Sequence, residues 1–121
     1  MYESRIYLME KSDITIDGKI VDTIYNEIAC FNLASCGWEF RNLFKTEFAC
    51  CLYNLVSDED EIISEDKYGD KLRYAKASDV LDWLKGSENQ QHYRRFAPLI
   101  AYLEALQPGE WKSLIIVHYG Y

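Results

Sequence analysis

A chain of 121 residues with 49% hydrophobic and 15% aromatic content has enough apolar material for one domain with a core that needs no disulfide or metal staple. Its formal charge of −7, from 20 acidic and 13 basic residues, argues against general nucleic-acid or anionic-membrane binding, since both favour a basic face. No run approaches the ~18 apolar residues of a spanning helix. The opening MYESRIYLMEK carries charges where a leader peptide needs its apolar centre, so the expectation is a soluble, intracellular protein.

In chain order, Tyr2–Met9 alternates, with Tyr2, Ser4, Ile6 and Leu8 on one side and Glu3, Arg5, Tyr7 and Met9 on the other. This predicts a strand with its aliphatic half inward. Lys11–Lys19 reads as a polar connection, and Asp17-Gly18 as a tight turn closing a short hairpin. In Ile20–Leu33, helical spacing competes with alternation over Asn26–Leu33, and the abundance of β-branched and aromatic residues favours a strand. Cys36-Gly37 breaks that run, and Trp38–Phe44 follows as a short helical or irregular piece. Glu47–Leu55 is apolar on both faces and predicts a central strand.

Ser57–Glu61 is a loop, Ile62-Ile63-Ser64 a short strand, and Lys67-Tyr68-Gly69-Asp70 a turn. Ser78 reads as the N-cap of a helix closed by Gly86 and striped by Val80, Leu81, Trp83 and Leu84. The clearest period is in Tyr93–Leu106, where Phe96, Leu99, Ile100, Leu103 and Leu106 share one helical face. Pro98 predicts that this helix starts or bends there, and Pro108-Gly109 ends it. Leu114–Val117 reads as a strand buried on both faces. Together these elements predict an α+β domain over residues 1–121: a mainly antiparallel sheet of four or five strands with two to three helices chiefly on one face.

No motif carries a chemistry. There is no G-x-S-x-G elbow, phosphate loop or H-E-x-x-H, so no enzymatic activity and no cofactor are expected. Cys30, Cys36, Cys50 and Cys51 form no C-x-x-C pair and, with only His92 and His118 beside them, offer zinc no ligand cluster; reduced thiols are expected. The tract Asp58–Asp70 holds seven carboxylates, but Ile63 stands where a calcium loop needs glycine. It reads as a solvated loop or as a docking surface for a basic partner. The residues of that surface are Asp58, Glu59, Asp60, Glu61, Glu65, Asp66, Tyr68 and Asp70, joined by Tyr119 and Tyr121, because tyrosine gives large contact area at small entropy cost. The compact basic cluster His92, Arg94 and Arg95 is the alternative, an anion site built on guanidinium forks. His118, within an apolar strand, reads as a hydrogen-bonded structural histidine.

The stretches MYESRIYLMEK, NEIACFNL, SEDKYGDKLRYA, YRRFAPLIAYLEAL and VHYGY resemble a group of small phage- and prophage-encoded proteins of Firmicutes. Relative to that pattern Ser12–Thr23 reads as an insertion. The group has no assigned chemistry, so the resemblance implies only a context, an infected or lysogenic bacterial cell. There, small acidic phage products often block host machinery, defence systems included. The resulting expectation is a non-enzymatic binding module that occludes a host protein, itself basic or nucleic-acid-binding, without touching nucleic acid or membrane directly. A small-ligand binder using a nucleotide or signal molecule, and a structural homo-oligomer joined through a sheet edge, are the alternatives.

Overall fold

The computed structural model describes residues 3–34, 40–51, 62–86, 93–106, 109 and 113–120. In chain order the elements are β1 (Glu3–Ile16), β2 (Lys19–Ala34), β3 (Thr46–Glu47), β4 (Cys50–Cys51), β5 (Ile62–Ile63), β6 (Arg73–Lys76), α1 (Ala77–Leu84), α2 (Tyr93–Ala105) and β7 (Leu114–Gly120). Five strands form one antiparallel sheet in the order β2-β1-β7-β6-β3, and β4 and β5 form a separate two-stranded ribbon. This is the α+β class expected.

Alternation sorts the sheet into two faces. Ile6, Leu8, Leu114 and Ile116 point to one side, where α1 supplies Val80, Leu81 and Leu84, and α2 supplies Phe96, Leu99, Ile100 and Leu103. Tyr7, Met9, Val117 and Tyr119 point to the other, where Cys50 and Leu72 complete a second buried cluster with Phe48 and Ile63 packed against it. Both halves of β1 are therefore inward: Ile6, Tyr7, Leu8 and Met9 are all 0% exposed. The strand expected at Leu114–Val117 sits at the centre of the sheet, and its two apolar faces follow from that position.

Several expectations are corrected. Glu47–Leu55 is not one central strand. Thr46–Glu47 pairs with β6 at the sheet edge, Cys50–Cys51 pairs with β5, and residues 52–55 lie outside the described set. The segment is apolar because it crosses the second face: the Phe48 ring meets Tyr25 at 4.7 Å and Tyr74 at 5.4 Å. Ser78 is not the N-cap. α1 begins at Ala77 directly after β6, with Lys76 at the cap position and no side-chain cap bond.

Pro98 does not lie in the first turn of α2 but is its sixth residue. It is on the exposed side of the helix, as is Arg94, whose carbonyl proline leaves without its helical donor. Finally, Lys11–Lys19 is not a connection. β1 and β2 run on together to Ile16 and Lys19, and Asp17 (φ 53°) and Gly18 (φ 77°) form a two-residue turn with both central residues left-handed. That geometry is the reason for Asp-Gly at this point. Ser12–Thr23 is thus the far end of a long hairpin.

Candidate functional site

The turn joining β5 to β6 is organised by one carboxylate. Asp66 Oδ1 accepts the backbone N–H groups of Tyr68 (2.8 Å) and Asp70 (3.1 Å), and its Oδ2 accepts that of Gly120 on β7 (3.1 Å). The Lys67 N–H donates to the Tyr119 hydroxyl at 2.8 Å, and Leu72 N–H to the Ser64 carbonyl at 2.8 Å. Gly69 (φ 85°) allows the chain to reverse between them. The turn is in this way stitched to the central strand.

Beside it, β7 carries His118, which is buried and faces the helix side of the sheet. Its Nε2 lies 3.3 Å from Ser4 Oγ, itself buried, and its ring packs against Phe40 and Phe44 at 5.7 and 5.1 Å between centroids. Burial and, secondarily, the charge of Arg41 lower its pKa from 6.5 to about 4, so the imidazole is neutral at pH 7. The structural role expected of His118 is what the geometry gives it. On the opposite face Tyr7 is raised to about 12, first by burial, against which the positive charge of Arg5 works.

His118 and Gly120 also border a cleft of about 620 Å³ between the Phe40–Lys45 segment and the Asp66–Arg73 segment. Four cations line it: Arg41, Lys45, Lys71 and Arg73. The register of β6 on β7 places Arg73 opposite His118. Arg41 binds Asp70 at 3.2 Å with its side chain largely enclosed, whereas the Lys71 to Glu65 pair (3.4 Å) and the Arg73 to Glu47 pair (4.0 Å) lie toward solvent. Phe44 supplies an apolar wall.

A second feature is the outer part of the hairpin. β7 pairs with β1 only as far as Glu10, so Lys11–Ile16 and their β2 partners extend roughly 20 Å beyond the sheet as a two-stranded arm. Ile14, Ile16, Ile20, Val21 and Ile24 are exposed on it, Ile16 at 60% and Ile20 at 63%. Alternation along β1 and the pairing of Ser12 with Ile24 bring Ile14, Ile16 and Ile24 onto one face.

Of the residues the sequence singled out, Asp58, Glu59, Asp60, Glu61, Tyr121 and His92 lie outside the described residues. Glu65, Asp66, Tyr68, Asp70 and Tyr119 do come together; Glu65 is exposed and Asp66, Tyr68 and Asp70 are half-buried. Asp66 and Asp70 direct their oxygens to partners within the chain, and Tyr119 is buried at 6% exposure with its hydroxyl taken by Lys67. Arg94 is exposed, Arg95 is half-buried with its guanidinium 5.6 Å from the Phe96 ring centre, and neither lines the cleft. The cleft cations and the apolar arm were not anticipated. Lys71 and Arg73, two apart and so on one side of an extended segment, are the only sequence signal for the former.

Among the described residues no helix is long and apolar enough to cross a membrane, and no group of three or more His, Cys, Asp or Glu is placed to hold a metal ion. No family model, curated protein or solved structure matches the chain.

Proposed function

We propose that this chain is a non-enzymatic binding module that occludes a surface of another protein, and that the β1–β2 arm makes the contact. The observation that carries the reading is the exposure of Ile14, Ile16 and Ile24 on one face of a ribbon that outruns its sheet. A two-stranded ribbon is at best marginally stable alone in water, and clustered branched aliphatics on it cost solubility unless something covers them. The arm from Glu10 to Tyr25 holds four carboxylates against two lysines, in a chain of net charge −7. The matching partner is therefore a protein with an apolar groove rimmed by basic side chains. The sequence resemblance to phage- and prophage-encoded proteins is the ground for seeking it among bacterial host proteins, where an inhibitor of defence or other host machinery would act.

The test compares capture of a partner from bacterial lysate by the native chain and by an Ile14→Ser, Ile16→Ser, Ile24→Ser variant. Retention of one basic protein by the native chain and its loss by the variant, with equal thermal stability, is the expected result. Equal capture by both removes the arm from the contact.

A second reading rests on β2 being a 16-residue strand at the edge of the sheet. Two copies aligned antiparallel about Ile24 would set Asp22 against Asn26 and Thr23 against Tyr25 with no like charges opposed. Light scattering decides this one: a constant monomer mass across concentration eliminates it.

A further inference from the structure

We infer that the cleft bordered by Arg41, Lys45, Lys71, Arg73 and His118 is a binding site for a phosphorylated small molecule of nucleotide size. In a chain that is acidic overall, four cations converge on one concavity that holds two carboxylates, Asp66 and Asp70. Both carboxylates are committed, Asp66 to three backbone N–H groups and Asp70 to Arg41. Among the lining residues cations outnumber carboxylates by two, and this excess meets the dianion of a phosphate monoester once Lys71 and Arg73 exchange Glu65 and Glu47, their partners outside the lining, for the ligand.

The cations also differ in how firmly they are held. Arg41 is fixed by Asp70 in a largely enclosed position and serves as a rigid donor. Lys71 and Arg73 pair with Glu65 and Glu47, whose side chains are about half exposed or more, and such pairs bind weakly enough to give way to an incoming anion. An arginine presents a planar fork suited to phosphate oxygens, and lysine adds a point charge. His118 spends Nε2 on Ser4, which leaves Nδ1 as the ring nitrogen for a ligand. The volume of about 620 Å³ is in the range of sites for small molecules, and the Phe44 wall suits the flat, apolar part of such a ligand.

This site is separate from the arm and stands whether or not the arm binds a protein. The experiment is a calorimetric titration of the full chain at low salt with adenosine 5′-monophosphate, with adenosine and inorganic phosphate as controls. Saturable binding of the monophosphate is expected, with no binding of adenosine and weaker binding of phosphate. The variant Lys45→Gln, Arg73→Gln avoids the Arg41 to Asp70 anchor, and it should weaken binding about tenfold or more at unchanged melting temperature. In NMR the bound monophosphate should shift the His118 ring signals and raise its pKa. No saturation up to about 10 mM, binding of adenosine equal to that of its monophosphate, or undiminished affinity in the double variant would each overturn the assignment.

Discussion

Asp66 and Gly120 are joined by a hydrogen bond of 3.1 Å from the backbone N–H of the second to the carboxylate of the first, across 54 positions of sequence. Gly120 has a φ of 95°, a conformation that an L side chain resists, so the strand presents this N–H to the turn at a place where only glycine is comfortable. The same carboxylate holds two further N–H groups of its own turn. Asp66→Ala therefore strands three donors and should cost about 2 to 3 kcal/mol. Asp66→Asn keeps the Oδ1 acceptor and should cost roughly half as much, as read by urea unfolding. Equal losses would mean that the pair to Gly120 carries the whole effect.

His118 makes stability depend on pH in one direction. Its folded pKa, about 4, lies below the ordinary 6.5, so between those values the unfolded chain binds the extra proton. Its contribution is complete above about pH 6.5 and is lost as the pH falls toward 4, by about 3 kcal/mol in all. Urea unfolding at pH 7, 6 and 5 should show this slope, and His118→Gln should flatten it. Carboxylates are common to both proteins, so the difference between the two slopes isolates the histidine.

The helix that follows β6 has no side-chain cap to lose. Ser78→Ala should accordingly change stability by less than about 0.5 kcal/mol, against the roughly 1 kcal/mol typical of a cap. Ile116→Ala, by contrast, empties a fully buried position on the central strand and should cost about 2 to 5 kcal/mol. Thermal or urea unfolding of both variants side by side measures the contrast. Removal of Leu114–Gly120 should abolish the fold, because β1 and β6 then lose their shared neighbour.

Amides of the arm, Lys11–Ile16 and Lys19–Asp22, should exchange with deuterium far faster than those of Ile116 and Val117, because the arm has neighbours on one side only and no buried face. Gly18→Val strains a position at φ 77°. It should speed exchange within the arm while leaving the melting temperature almost unchanged. A large fall in melting temperature would mean that the arm is coupled to the core.

The architecture was legible where one local rule acts alone. Asp17-Gly18 demanded a two-residue turn, Phe96 to Leu103 marked a helix face, and the unbroken Leu114–Val117 run marked a strand covered on both sides. Glu47–Leu55 misled because a segment lying across a sheet is as apolar as one lying within it. The length of the hairpin was hidden because Lys11–Thr15 has no core to alternate against, so its strand residues look like loop. The cleft was illegible for a different reason: Arg41 and Lys45 stand far in sequence from Lys71 and Arg73, and only the register of β6 on β7 and the packing of Phe40 and Phe44 against His118 bring them together.

The contact between Ser4 and His118 spans 114 positions. A sheet whose middle ribbon must find neighbours drawn from so far along the polypeptide is slow to assemble, on the order of milliseconds to seconds. Until β7 arrives, the inner margin of β1 has unpaired peptide groups that any other extended chain can join. The strong negative charge then serves the newborn molecule as well as the finished one, by keeping copies apart during that interval.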